Sequence, residues 1–174
     1  MKWILWFLLL GFLIFSEYQL RTAGEKYLKP AFDGMNLPDL SIGISKEDLL
    51  NFFETGGRDG IEIYAKVIMR YDFLYPLSYG LFFAYTIFLL TRRFKTRWIS
   101  TLPLLPILSM LADLVENSSF VLLAYEYPSF NDTLFSLGRT AQLIKWYVAF
   151  TSVAVILSLL ITHAILLIKG SKVR

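Results

Sequence analysis

The stretch WISTLPLLPILSMLADLVENSSFVLLAY, residues 98–125, decides how this chain folds. It is apolar over most of its length, yet Asp113, Glu116 and Asn117 lie in its middle. About 20 apolar residues are enough for a helix to cross a hydrocarbon core that is about 30 Å thick. The stretch is therefore predicted to be a membrane-spanning helix that carries a polar cluster.

The composition of the whole chain also indicates a membrane protein. Of its 174 residues, 56% are hydrophobic and 18% are charged, and its mean hydropathy is +0.54. Soluble domains contain about 45 to 50% apolar and about 25% charged residues. The chain has no cysteine, which excludes a disulfide framework, a thiol nucleophile and a thiolate metal site.

The apolar runs predict an all-α fold, a four-helix transmembrane bundle that forms a single membrane domain over residues 1–174. A partly helical extracytoplasmic segment is expected at residues 21–70. The first run also fits the apolar region of a signal peptide, but no good cleavage site follows it, so we expect an uncleaved anchor. The spans are predicted at about residues 3–20, 71–90, 99–125 and 142–168.

The placement of charged residues predicts that both termini are cytoplasmic. Lys2, residues 91–97 and the chain after the fourth span together carry eight basic residues and no acidic one. The outer segments carry nine basic and twelve acidic residues. Because basic residues collect on the cytoplasmic side of membrane helices, we expect an integral protein of the cell inner or plasma membrane. We interpret the basic loop as a topology determinant that contacts anionic lipid, and expect no nucleic-acid partner.

The outer segment has signals of ordered structure. Residues 32–34 and 37–39 have the glycine and proline positions of turns. Ser45 followed by Asp48 predicts the start of a short helix, which Gly56 and Gly57 would end. We interpret the segment as a packed cap over the bundle, and a moving lid is the alternative.

The second span places Asp72, Tyr75, Pro76 and Tyr79 on one helix face. Pro76 has no N–H, so the carbonyl of Asp72 loses its helical partner. In a bilayer, a neighbouring helix or water must satisfy that carbonyl.

The polar cluster of the third span lies on one face, because Asp113 is three residues from Glu116 and four from Asn117. An ionisable side chain at the bilayer centre costs about 2.5 to 3.5 kcal/mol, and it normally faces the bundle interior. Two carboxylates this close are not expected to be ionised together unless Lys145 or Arg139 reaches them. Whether the cluster serves a function or only ties helices together stays open at this point.

The fourth span carries an approximate polar stripe of Gln142, Lys145, Ser152 and His163. The single histidine lies towards the cytoplasmic end, far from Glu116, and we interpret it as a packing residue. No paired metal-ligand motif, nucleotide fingerprint or glycine-rich phosphate loop is present. The sequence therefore predicts no metal site and no cofactor.

Two motifs carry a family resemblance, YDFLYP at residues 71–76 and DLVEN at residues 113–117. At these motifs the chain resembles a family of uncharacterised four-span prokaryotic integral membrane proteins over nearly its whole length. That resemblance implies the topology but no mechanism. More loosely, four spans with a long outer segment and acids facing the bundle resemble the EXPERA-domain membrane proteins, which are sterol isomerases and sterol-binding receptors. This second likeness is one of architecture.

The predicted function is to bind, or act on, a lipid-like molecule that enters the outer half of the bundle. No catalytic residue is assigned, so whether the protein is an enzyme stays open. The candidate ligand-binding residues are Asp72, Tyr75, Tyr79, Asp113, Glu116, Asn117 and Lys145.

Two other functions remain as alternatives. The protein could be a structural or assembly subunit of a membrane complex, in which the polar cluster is helix glue. Proton or ion transport is the third function, although four helices are few for a transport path. The expected partners are membrane lipids, a lipid-like ligand, and either another membrane protein or a second copy of this chain.

Overall fold

The computed structural model describes residues 2–94 and 97–171, and every regular element within them is helical. Shorter helical turns lie at Gly24–Leu28, Lys29–Ala31, Pro38–Leu40, Ile68–Asp72 and Ile99–Thr101. The prediction of an all-α bundle is thus confirmed. The long helices are α1 at Lys2–Ala23, α2 at Lys46–Val67, α3 at Leu74–Thr91, α4 at Leu104–Glu126 and α5 at Asp132–Ser171.

Four helical runs in the described part of the chain are long and apolar enough to cross a membrane. Large apolar side chains cover their outer faces; Trp3, for example, is 69% exposed and Leu167 is 68% exposed. Patches of this extent on a soluble protein would mark an interaction surface, and on membrane helices they face lipid. The runs are Lys2–Ala31, Lys46–Thr91, Ile99–Glu126 and Asp132–Gly170.

Two of these runs begin earlier than the predicted spans. The second run includes α2, because the π-helical turn Ile68–Asp72 continues α2 into α3. The fourth run begins at Asp132 and not near residue 142. Asn131 explains this early start, because its side chain accepts a hydrogen bond from the N–H of Leu134 at 3.0 Å and so caps the helix.

Side-chain hydrogen bonds join neighbouring helices of the bundle. Helix α4 lies between α3 and α5, and α1 packs on α3. The indole of Trp6 donates a hydrogen bond to Thr86 at 3.0 Å, and the hydroxyls of Ser16 and Ser78 are 2.6 Å apart. Such small and hydroxylated residues are typical of contacts between membrane helices.

Residues 24–67, which we call the cap, pack over one end of the bundle. The ring of Phe32 stacks on that of Phe52, with centroids 3.9 Å apart, and Tyr64 meets both rings edge-on. These rings join Phe120 of α4 in one buried apolar cluster. The segment is therefore ordered, as the sequence predicted.

Helix α2 begins as predicted but does not end where predicted. The hydroxyl of Ser45 accepts a hydrogen bond from the N–H of Asp48 at 3.0 Å, which confirms the N-cap. Gly57 then adopts φ 56° and ψ −164°, a conformation that glycine tolerates because it has no Cβ. The helix bends there and continues to Val67, so the predicted end is a kink.

The far end of the bundle carries the loop between α3 and α4. His163 lies near it, with Nδ1 2.9 Å from the carbonyl oxygen of Leu159 and its ring against the edge of Phe94. These contacts agree with its interpretation as a packing residue. Three of the basic residues that predicted the topology, Lys95, Lys172 and Arg174, lie outside the described residues.

Candidate functional site

The first contact of the candidate site involves the backbone carbonyl of Asp72. Asp72 ends the π-helical turn Ile68–Asp72, and Pro76 follows one turn later. The side-chain amide of Asn117, on α4, donates a hydrogen bond to the carbonyl oxygen of Asp72 at 3.4 Å. A neighbouring helix therefore satisfies this carbonyl, as the sequence predicted.

Tyr79, about two helical turns after Asp72, joins α3 to α4. Its hydroxyl donates a hydrogen bond to Oδ2 of Asp113 at 3.0 Å and lies 3.4 Å from the hydroxyl of Ser109. Ser109 in turn donates to the backbone carbonyl of Lys145 on α5, at 3.0 Å. These contacts confirm that the predicted faces of the second and third spans meet.

Lys145 brings the charge of α5 into the cluster. Its Nζ lies 2.6 Å from Oε2 of Glu116 and 3.4 Å from Oδ1 of Asp113. It also donates a hydrogen bond to the backbone carbonyl of Asp39 at 3.3 Å. Of the two cations that the sequence named as able to reach the acids, Lys145 does so, whereas Arg139 is exposed.

Gln142 fixes the cap to the cluster. Its amide nitrogen donates to Oε1 of Glu116 and to the carbonyl of Pro38, both at 2.8 Å. Its amide oxygen accepts a hydrogen bond from the N–H of Ile44 at 2.8 Å. Every hydrogen-bonding group of this fully buried side chain except one lone pair is therefore used.

A cavity of about 630 Å³ lies between the cap, α1, α3 and α5, beside the cluster. Glu116 and Asn117 do not line it; they stand behind its wall and hold Lys145, Gln142 and the carbonyl of Asp72. The cluster thus has a supporting part and a part that faces the cavity. The predicted residues that line the cavity are Asp72, Tyr75, Tyr79, Asp113 and Lys145.

Three polar atoms at the cavity have no hydrogen-bond partner among the described residues, although they are buried. They are Oδ2 of Asp72, Oδ1 of Asp39 and Nε1 of Trp146, and all three side chains line the cavity. An unsatisfied buried polar group costs about 1 to 3 kcal/mol. Two acceptors and one donor in the side chains that line the cavity are therefore left without a partner in the described part of the chain.

Asp39 was missed as a site residue, because the sequence 37–39 reads as a turn. It lies in the short helical turn Pro38–Leu40, outside the four runs that can cross a membrane. Burial raises the pKa of its carboxyl above the ordinary value, and the ammonium of Lys145 partly opposes this. No pattern in the sequence indicates that this acid turns inwards.

Trp146 and Arg21 were also absent from the predicted site. Trp146 directly follows Lys145 in the chain, and this proximity was the available signal. Its ring centroid lies 5.5 Å from Nζ of Lys145. Arg21 lines the cavity from α1, a helix whose sequence shows no amphipathic pattern that would orient it.

The wall of the cavity combines buried hydrogen-bonding groups with aromatic and apolar side chains. Among the described residues no group of three or more His, Asp or Glu side chains is arranged to hold a metal ion. Sites for small organic molecules are likewise mostly apolar with a few polar groups.

Comparisons of this chain with protein-family models, with curated proteins and with solved structures found no match.

Proposed function

We propose that the protein is a membrane receptor or carrier that binds one lipid-like molecule in the cavity beside Asp72. The apolar part of the ligand lies among the helices, and its polar part meets the buried carboxylates. In this proposal both termini are cytoplasmic and the cap lies on the opposite side of the membrane, as the distribution of basic residues indicates.

One observation carries the proposal, the buried carboxylate of Asp72 at the wall of a cavity of about 630 Å³. Ligand cavities measure about 300 to 1,000 Å³. The wall also includes apolar side chains such as Leu20, Phe83 and Ala149, against which an acyl or ring system packs. An amphiphile satisfies both parts of this wall.

The hydrogen bonds behind the cavity support the alternative function, a structural or assembly subunit. Glu116, Asn117 and Gln142 join α3, α4, α5 and the cap, as helix glue would. That function, however, gives no role to a buried carboxylate without a hydrogen-bond donor in the wall of a cavity. We therefore place ligand binding first, with proton or ion transport as a third possibility for which no contact described above is specific.

Filling the cavity tests the proposal. In Ala149→Trp the indole occupies the space against which the ligand packs, since Ala149 lines the cavity. We expect native mass spectrometry of the detergent-solubilised protein to show one tightly held lipid on the parent protein and none on this variant. Ala154→Trp is the matched control, because Ala154 is exposed on the same helix and does not line the cavity.

Loss of the lipid in both tryptophan variants, or a parent protein that carries no lipid after extensive washing, would contradict the proposal. Circular dichroism of each variant shows whether its helices remain folded. A folded Ala149→Trp variant that keeps its lipid would contradict binding in this cavity.

A further inference from the structure

The inner wall of the cavity holds more carboxyl groups than Lys145 can pair with. The ammonium of Lys145 is within ion-pair distance of Glu116 and Asp113. Towards Asp39 it contacts only the backbone carbonyl. Among the described residues, the carboxyls of Asp39 and Asp72 make no ion pair.

Of the two carboxyls without an ion pair, that of Asp72 is the stronger evidence for a ligand. Its side chain is 3% exposed, it lines the cavity, and its Oδ2 has no hydrogen-bond donor in the described part of the chain. Oδ1 of Asp39 is also buried and also has no hydrogen-bond donor among the described residues. Buried acceptors are almost always hydrogen-bonded in folded proteins, so a donor from outside the chain is expected here.

The missing donor has the chemistry of an ammonium group. No group of three or more acidic or histidine side chains that could hold a metal ion converges in the described residues. An ammonium brings three N–H donors and one positive charge. Tyr75 and Trp146 line the same cavity, and aromatic faces attract organic cations. The charge would also lower the pKa of Asp39, which burial raises.

The mouth of the cavity carries basic side chains, in contrast to the acidic inner wall. Arg21 and Lys29 line the cavity and are exposed, so we infer that the cavity opens on their side. Lys29 is held by Glu25 at 3.0 Å, whereas Arg21 makes no ion pair within the described residues, although Glu17 also lies at the mouth. A guanidinium binds phosphate oxygens through two parallel hydrogen bonds. Arg21 is therefore free to contact an anionic group at the entrance.

We propose that the polar part of the ligand is a zwitterion. Its ammonium group enters between Asp39 and Asp72, and its phosphate group stays at the mouth beside Arg21. This inference rests on the proposed function, because it names the head group of the lipid-like molecule that the cavity binds. Among lipids, a phosphoethanolamine head group has this chemistry.

Three single-chain probes separate the two charges. Lysophosphatidylethanolamine carries both charges, lysophosphatidylglycerol carries the same phosphodiester without an amine, and octadecylamine carries the amine alone. Binding to the delipidated protein is measured by native mass spectrometry over a range of probe concentrations. We expect lysophosphatidylethanolamine to bind about tenfold more tightly than lysophosphatidylglycerol. Its advantage over octadecylamine should be smaller, about threefold, because Arg21 is exposed.

Two variants should remove these preferences separately. Asp72→Asn is expected to abolish the preference for lysophosphatidylethanolamine over lysophosphatidylglycerol. Arg21→Gln is expected to abolish the preference for lysophosphatidylethanolamine over octadecylamine. Asp39→Asn tests the same carboxylate pair through a cap residue, in case Asp72→Asn folds poorly. Asp59→Asn is the matched control, because Asp59 is exposed on α2 and does not line the cavity.

The outcomes distinguish the two proposals. If no probe binds saturably to the parent protein, the proposed function fails and the zwitterion fails with it. If the probes bind but lysophosphatidylethanolamine and lysophosphatidylglycerol bind equally, or if Asp72→Asn and Asp39→Asn weaken both equally, lipid binding stands and the ammonium site is overturned. Octadecylamine binding as tightly as lysophosphatidylethanolamine would overturn the phosphate site alone.

Discussion

Lys145 is the residue on which the buried charges depend. It is 7% exposed and lies among Glu116, Asp113 and the carbonyl of Asp39. A buried ion pair adds little net stability compared with an apolar pair, because both charges must leave water. Removing one partner is far more costly, since it leaves the other charge buried without compensation.

We therefore predict that Lys145→Met lowers the free energy of unfolding by roughly 3 to 5 kcal/mol. The methionine keeps most of the side-chain volume, so the loss reports the missing charge and not a void. Unfolding in mild detergent, followed by tryptophan fluorescence, measures the change.

The double variant Lys145→Met, Glu116→Gln is the control for this prediction. Removing the acid that contacts Nζ at 2.6 Å should recover part of the lost stability, because the two residues interact directly. Additive losses in the double variant would show that the two charges are not coupled.

At the scale of the helices, two glycines allow close packing that the polar cluster requires. A Cβ added to Gly80 on α3 would lie 2.7 Å from Cβ of Met110 on α4. One added to Gly138 on α5 would lie 2.8 Å from the ring of Phe120. Both distances are too short, so the helices would have to separate.

We predict that Gly80→Ala lowers the thermal unfolding temperature in detergent by several degrees, since overpacking costs about 1 to 3 kcal/mol. It should also weaken lipid binding, because Tyr79 is the adjacent residue and contacts Asp113 across the same helix pair. Differential scanning fluorimetry measures the first effect and native mass spectrometry the second.

Gly11→Ala provides the matched control on α1. A Cβ at Gly11 meets nothing within 4 Å, so alanine should be neutral or slightly stabilising through its better helix propensity. Equal losses in the two alanine variants would mean that the contact between α3 and α4 is not the cause.

At the scale of the whole molecule, the proposed function requires a particular orientation in the membrane. The cap, and the cavity mouth beside it, lie at the end of the bundle opposite the basic loop between α3 and α4. A ligand would then enter from the outer leaflet. The absence of cysteine makes the orientation straightforward to measure, because each introduced cysteine is the only thiol.

We predict that a membrane-impermeant maleimide labels Ser129→Cys in right-side-out vesicles and labels Arg93→Cys only in inside-out vesicles. Both positions are exposed and lie at opposite ends of the bundle. Glu54→Cys on the cap should follow Ser129→Cys. The reverse pattern would place the termini outside and would contradict the charge-based topology.

The sequence by itself determined the helical class and the helix faces. Apolar runs long enough to cross a membrane leave few alternatives to helices, because every backbone group must be hydrogen-bonded within the segment. The 3.6-residue period likewise placed Asp113, Glu116 and Asn117 together, and Pro76 predicted that the carbonyl of Asp72 would need an outside donor. Helix ends were less predictable: Gly57 bends α2 without ending it.

Only the tertiary structure decided which polar residues face the cavity and which support it. The helical period gives the face of its own helix on which a side chain lies. It does not give the residues of a neighbouring helix or of the cap that lie against that face. Glu116 lies behind the wall because Lys145 and Gln142 of α5 bind its carboxylate. Asp39 joins the site because Gln142 holds the cap against α5 through Pro38 and Ile44. These contacts join residues about 100 positions apart, so no local pattern in the chain encodes them.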